Sequence, residues 1–563
     1  MTEWDHSTDF LVIGSGAGAV GALRANALGK SALVVEKTDL WGGSTSMSGG
    51  VIWMPNNPLM QREGVPDSHE SALDYLDSLV GDVGPASSLE RREAYLTEGN
   101  EMIYFLESEG VDFIRCPGMS DYYAGVRGYR SGSMAGRSIE PKVFNRRKLG
   151  KWSKRIRPGF SPLLNIYTGE GSALQTPKSS GGRSAVARVA FRTAWGVASG
   201  QRYVTNGEAL MTRILYALLR RKVPVWLNSP VVELIVEDDR VIGAVVERDG
   251  IRLRVQARDG VLIASGGFSR NLTMREEYAG HVGPMSDEWT SSNPGDTGEV
   301  IRMATDLGAD TAMVDEAWWM PTWMNGGKPA MAMTVGAKPH AITVDANGDR
   351  FYDESISYQE AGQRIYAHHK ATGAAIPAWL IIDNTHRQKY TFGMALPGKG
   401  HQKWIDAGDW KTADTLEELA AQCGINAEGL AKTVDRFNGF ARTGIDEDFH
   451  RGEGGWQQFY GDPDHGPNKC LGAVETGPFY AIPIYPGDIG TSGGLMTDEH
   501  GRVLRADASP IEGLFATGNC TASVFGRGYP GAGATIGASA VFAYTAANFV
   551  GKPGVRTKAL VHE

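Results

Sequence analysis

Cysteine is nearly absent from this chain. Four occur in 563 residues, Cys116, Cys423, Cys470 and Cys520, widely separated and without a C-x-x-C pair. That argues against a disulfide framework and against a thiolate metal centre, so no metal is expected and a reducing compartment, the cytoplasm, fits best. No apolar stretch runs uninterrupted for about 18 residues, so no membrane-spanning helix is expected. The N-terminus carries Glu3 and Asp5 and enters an apolar run at Phe10, which leaves no space for a signal peptide. Internal repeats, low-complexity tracts and nucleic-acid motifs are missing too, and no nucleic-acid partner is expected. Hydrophobic residues make up 42% and charged residues 21%, ordinary values for a globular protein. The length allows two or three domains around a large core.

Glycine, by contrast, is plentiful at 73 residues, and its first cluster is the most informative feature. The apolar run Phe10–Ile13 reads as a buried parallel strand. It stops at Gly14-Ser15-Gly16-Ala17-Gly18-Ala19, a helix-compatible run follows to Leu28, and a second apolar strand, Ala32–Val35, ends in Glu36. Strand, G-x-G-x-x-[G/A], helix, strand and acid in this order form a dinucleotide fingerprint. Gly14 permits the tight turn, Gly16 lets backbone approach a pyrophosphate, and the helix N-terminus offers free N–H groups to it. Glu36 is placed to accept hydrogen bonds from ribose hydroxyls. Lys37 and the turn Gly42-Gly43-Ser44 follow at once and offer further donors to an ADP-diphosphate, which favours FAD. A second such fingerprint, as a separate NAD(P)H domain would need, is not found.

Further along, Val231–Glu237 and Val241–Val246 flank Asp238-Asp239-Arg240 and read as a hairpin. Gly260–Ile263 reads as a buried strand running into Ala264-Ser265-Gly266, and Gly513–Ala516 as another running into Gly518-Asn519. The chain thus ends as it begins, around a different middle. The expected division is 1–311 (flavin fold, first part), 312–482 (middle domain) and 483–563 (flavin fold, second part), with the active site in the crevice between. Charge is uneven: from Lys142 to Arg202 thirteen Lys and Arg accompany one acid, Glu170, a net +12 in a chain of net −9. The bland expectation is a solvated insertion. The sharper one is a patch resting on anionic lipid, with Trp152, Ile156 and Phe160 dipping into the interface and Arg146, Arg147, Lys148 and Lys151 facing the headgroups.

These residues resemble those of the 3-ketosteroid Δ1-dehydrogenases, within the fumarate reductase/succinate dehydrogenase class of flavoproteins. The marks are the Gly14–Gly18 loop, Val35-Glu36-Lys37, Gly42-Gly43-Ser44, Ser120-Asp121-Tyr122-Tyr123, Gly136–Pro141, Arg350–Ser355 with Tyr358, Asp488–Thr491, Gly518-Asn519 and Tyr529-Pro530-Gly531-Ala532-Gly533-Ala534-Thr535-Ile536-Gly537. The resemblance implies an α/β fold: a Rossmann-like FAD-binding domain of the GR2 type, interrupted by an α+β catalytic domain. It implies non-covalent FAD held by Gly14, Ser15, Gly16, Ala17, Gly18, Glu36, Lys37, Gly42, Gly43, Ser44, Ser48, Gly49, Gly50, Ala264, Gly266, Gly518, Asn519, Ala534, Thr535 and Ile536. It implies a 3-ketosteroid resembling androst-4-ene-3,17-dione, with Tyr358 as proton-abstracting base, Tyr122 assisting it, and the Tyr529 hydroxyl and Gly533 N–H binding the C3 carbonyl oxygen. An external electron acceptor is implied as well. Asp353 stands where Asn is expected.

The chemistry suits those residue types. Dehydrogenation at C1–C2 beside a ketone needs a base at C2, an oxyanion hole for the developing enolate and a hydride acceptor at C1, which a flavin supplies. A tyrosine base requires its pKa to be lowered from about 10 by a neighbouring phenol or a positive dipole. The helical run Ala538–Phe549 is expected to aim its N-terminus at the flavin. The alternatives are a Δ4-dehydrogenase, a fumarate-reductase-like enzyme and a flavin-fold binding protein without catalysis. Tyr-Pro-Gly-x-Gly brings no cation for a dicarboxylate, and retention of all three tyrosines speaks against a mere binder. The cytoplasmic placement extends to peripheral contact with the inner face of the membrane.

Overall fold

The computed structural model describes residues 4–551 except 160, 162, 163, 333 and 334. Its first layer is a sheet with a parallel core. The strands Val225–Trp226, Ala32–Val35, His6–Ile13, Ile251–Ile263 and Pro510–Ala516 run side by side. Phe10, Leu11, Val12, Leu33 and Val34 are fully buried, as strands covered on both faces must be. The expected hairpin forms as Val231–Glu237 against Arg240–Arg248.

The helix Ala19–Ala27 follows the first strand and packs on the C-terminal helix Ala534–Gly551, where a Cβ on Gly21 would lie 3.0 Å from the Ala543 carbonyl oxygen. That last helix starts at Ala534, earlier than the expected Ala538, because Gly533 takes φ +95° and turns the chain directly into it.

The second layer is an antiparallel sheet in the order Lys328–Met331, Ala317–Asn325, Phe479–Thr491, Ala378–Ile382, Ala341–Val344. The position expected as a division, 482/483, falls inside Phe479–Thr491, which pairs within this sheet along its whole length. The helix Tyr358–Thr372 packs across it: a Cβ on Gly362 would lie 2.4 Å from Trp319 Cβ.

The basic segment forms 3-10 turns at Arg146–Lys154 and a long helix, Ser180–Ala198. Here the structure corrects the sequence reading. Ile156 is buried and bridges to Trp41, Trp152 packs against the main core, and Arg146 is buried in an ion pair with Glu208. Phe160 lies outside the described residues. The apolar side chains that do face outward are Val186, Phe191, Trp195 and Val197 on the helix.

Candidate active site

The glycine fingerprint builds an open cradle. Gly14, at φ +110°, passes so close to Ala264 that a Cβ would lie 2.2 Å from its carbonyl oxygen. Gly16 is different: a Cβ there would meet only Thr45 Oγ1, at 3.4 Å, so its free side faces the cleft. Gly43 abuts it, with a built Cβ 3.6 Å from the Gly16 Cα. No side chain caps the helix that begins at Ala19, and its first turn carries no acid, so its N-terminal N–H groups suit an anion.

Glu36 is buried and organises this cradle. One carboxylate oxygen accepts from Ser15 N and Oγ (3.1 and 2.6 Å), the other from Thr38 N and Oγ1 (2.9 Å each). Ser15 Oγ in turn accepts the Gly42 N–H (2.8 Å), and Thr45 Oγ1 the Ala17 N–H (3.1 Å). Lys37 turns away, to Thr297 and Glu299. Ser44 donates to Asp296 (3.0 Å), a residue the sequence reading missed, whose carboxyl burial pushes up to about 7. Ser48 Oγ accepts the Gly50 N–H, and the Gly49 carbonyl accepts from Thr168. Gly266 lies against Asp296, where a Cβ would stand 2.4 Å from the carboxylate. The Gly518-Asn519 turn is tied to the second layer by Trp318 Nε1, which donates to Asn519 Oδ1 (3.0 Å). These residues fit a dinucleotide: the cradle is what a phosphate-sized anion would fill.

The proposed catalytic side chains come from three separate segments and meet beside that turn. Tyr122, Tyr358 and Tyr529 are buried to 2%, 6% and 2% exposure. Ring centroids lie 5.3 Å apart for Tyr122–Tyr358 and 5.2 Å for Tyr358–Tyr529. The Tyr358 hydroxyl interacts electrostatically with both other phenols, and the Tyr529 hydroxyl with the Gly533 and Thr535 backbone. Of the adjacent pair, Tyr122 joins the cluster while Tyr123 packs on Tyr129.

Two walls were not legible beforehand. Trp318 meets Tyr529 edge-on at 5.1 Å, and Trp456 lies 4.1 Å from Tyr122. Below them Asp121 accepts from Trp53 Nε1 and Arg137 Nη1 (2.7 Å each), and Tyr122 N donates to the Pro530 carbonyl (3.1 Å), which fixes the Tyr122 segment against the Tyr529 segment.

Burial and its neighbours hold the Tyr358 hydroxyl well above the ordinary phenol range, the reverse of the lowering expected for a base. The cause is desolvation, and the neighbouring Tyr122 and Tyr529 phenols add to it. One feature opposes it: Tyr358 is the first residue of its helix, beyond Ser357, whose side chain makes no cap. The partial positive charge of the helix N-terminus therefore favours a phenolate there.

The family model described as FAD binding domain matches residues 9–536. A 3-oxosteroid 1-dehydrogenase of Mycolicibacterium smegmatis is 41% identical over 96% of both chains. One from Mycobacterium tuberculosis is 42% identical over 96% of this chain and 97% of that one.

The chain belongs to the 3-ketosteroid Δ1-dehydrogenase family.

A crystal structure of a 3-ketosteroid Δ1-dehydrogenase from Sterolibacterium denitrificans, in complex with 1,4-androstadiene-3,17-dione, matches with a TM-score of 0.92 at 36% identity, over 97% of this chain and 99% of that one. The cofactor of the family is FAD, in accord with the cradle around Gly16. Among the described residues no helix is long and apolar enough to cross a membrane.

Proposed function

We propose that this chain is an FAD-dependent 3-oxosteroid 1-dehydrogenase that introduces the C1–C2 double bond into a 3-ketosteroid such as androst-4-ene-3,17-dione. The observation that carries the reading is the meeting of three buried phenols and the Gly533 N–H beside the Gly518-Asn519 turn of the flavin fold. FAD, when bound without a covalent link, supplies the acceptor for the hydride that leaves C1, and an external acceptor must restore it. The chain's own task lies at the other two atoms. The Tyr529 hydroxyl and the Gly533 N–H donate to the C3 carbonyl oxygen, which acidifies C2 and holds the charge that builds there. The Tyr358 oxygen takes the C2 proton. Its own proton must leave first, and Tyr122, whose ring lies 5.3 Å away, is placed to relay it, taking that proton as it releases its own to water.

The test is anaerobic bleaching of the absorbance near 450 nm by androst-4-ene-3,17-dione, with analysis of the product. That substrate already carries the C4–C5 double bond, so turnover to the 1,4-diene excludes Δ4 chemistry. No bleaching overturns the reading.

A second reading concerns where the enzyme works. The helix Ser180–Ala198 exposes Phe191 (71%), Trp195 (58%) and Val197 (78%), with Phe191 and Trp195 stacked at 6.4 Å, and Arg183 and Arg188 also face outward. Exposed aromatics beside cations are what an anionic membrane surface attracts. The loop carrying exposed Met394 and Leu396 is hydrogen-bonded to the same insertion, Thr391 N donating to the Gln175 carbonyl. We assign this face to peripheral contact with the inner membrane leaflet, where a lipophilic steroid partitions.

A further inference from the structure

Tyr358 and Tyr529 belong to different halves of the molecule. Tyr358 opens the helix lying across the antiparallel sheet, and Tyr529 sits in the loop that leads into the last helix of the flavin fold. Their separation therefore depends on whatever ties that loop to that helix. Two residues before Tyr529, Arg527 is held by four residues of the other half. Its guanidinium pairs with Asp315 (3.1 Å) and with Glu316. Its carbonyl oxygen accepts from Gln363 Nε2 (3.0 Å) and Gln359 Nε2 (3.4 Å).

The anchors are themselves anchored. Gln359, next to Tyr358 and 1% exposed, accepts the Trp319 N–H (2.9 Å) and donates to the Ala317 carbonyl (3.0 Å). Glu316 also accepts from Trp319 Nε1 (2.9 Å). Burial pushes the Glu316 carboxyl up and the Arg527 cation opposes that shift. The side of this latch away from the phenols opens on a cleft of about 260 Å³ lined by Asp315, Glu316 and Gln363.

We propose that Arg527 is a positioning residue, whose latch onto Asp315, Glu316, Gln359 and Gln363 sets the Tyr529 hydroxyl against Tyr358. The proposal rests on the assignment of those two tyrosines to the reaction. Arg527 itself touches neither. Its side chain is 46% exposed and that of Glu316 only 10%, so the loss of Arg527 lowers stability by leaving a buried acid unpaired. The worth of the ion pairs to the reaction is geometric, and a displacement of about 1 Å at reacting groups costs on the order of 10²-fold in rate.

The experiment is a double-mutant cycle on purified holoenzyme, with flavin content and melting temperature followed in parallel. Arg527→Ala is expected to keep FAD and to lower kcat by roughly ten- to a hundredfold, with the affinity for 1,4-androstadiene-3,17-dione, read from the flavin spectrum, changed far less. Arg527→Lys should recover part of the rate. Combined with Tyr529→Phe, Arg527→Ala should add little further loss, because it acts through the hydroxyl already removed. Losses that multiply in the double variant, or a kcat unchanged in Arg527→Ala, overturn the latch alone. A Tyr529→Phe enzyme as fast as the parent removes the site assignment and the latch with it. Should Arg527→Ala fail to fold, Gln363→Leu, which cuts the shorter of the two hydrogen bonds to the Arg527 carbonyl and a bond to Glu316 but spares both ion pairs, is held to the same criteria.

Discussion

Tyr529 stacks on Tyr122 with ring centroids 5.4 Å apart and planes 18° from parallel, and Tyr358 meets both edge-on. The stack fixes the direction of the Tyr529 hydroxyl without help from a substrate. Tyr529→Phe is therefore expected to keep the stack, the fold and the flavin while losing about 10²–10³ in turnover, the usual worth of one oxyanion-hole donor. Steady-state kinetics with a flavin count checks it; activity within a few-fold of the parent makes Tyr529 structural.

Tyr358→Phe should abolish both turnover and substrate bleaching of the flavin, because charge cannot build at C2 without an acceptor for its proton within about 3 Å. Solvent deuterium should enter C2 in the parent if proton loss comes first, and should not in the variant. Flavin reduction at the parental rate would move the base elsewhere, with Tyr122 the next candidate.

Gly16→Val separates folding from cofactor binding. The built Cβ at Gly16 meets only Thr45 Oγ1, at 3.4 Å, so the chain should fold with a cooperative melt. The side chain then fills the phosphate cradle. The expected product is a colourless, folded protein; full flavin occupancy refutes the role given to this loop.

Asp353 gives a signed pH effect. Its carboxylate accepts from Ser355 N and Oγ (2.8 and 2.6 Å) and from Gln457 Nε2 (2.7 Å), and burial pushes it up to about 7. Its ordinary value is about 4, so between about pH 4 and 7 the folded chain binds the proton that the unfolded chain has released. Stability from this group is full below that window and is lost as pH rises through it. In Asp353→Asn that component of the slope should vanish, so variant and parent melting curves should converge or cross between pH 5 and 7. A constant offset across that range contradicts it.

Phe191→Glu with Trp195→Glu should release the protein from anionic vesicles at low salt. Each aromatic withdrawn from the interface costs about 1.5–3 kcal/mol of transfer, about tenfold or more in partitioning. Sedimentation decides: parent protein that never pellets, or a double variant that pellets as the parent does, removes the membrane contact.

Much of the fold was legible because its signals are local. The run Phe10–Ile13, the glycines and Glu36 fall within one βαβ unit, and strand, turn and helix follow one another in the chain. The walls of the site were not. Trp318, Trp456 and Asp296 reach it through pairings across hundreds of residues, and nothing in their own neighbourhoods marks them. The basic segment misled for a related reason. Composition counts charges but not partners, and Arg146 spends its charge on buried Glu208 while Ile156 joins the core. Nor does sequence show that the Tyr358 phenol is held high by desolvation, since that depends on how completely the two halves close over it.

The pairing of Ile263 with Ala516, beside that of Ile13 with Ile263, has a consequence for biosynthesis. The strand that begins the cofactor cradle pairs with one made mid-chain, and that strand in turn waits for Pro510–Ala516 near the end, with the helix Ala534–Gly551 later still. The sheet behind the cradle is therefore completed only when that last strand has emerged. Until then Val261, Leu262 and Ile263 offer an open apolar edge. Yield of the folded enzyme should thus depend on chaperone supply until the moment of release.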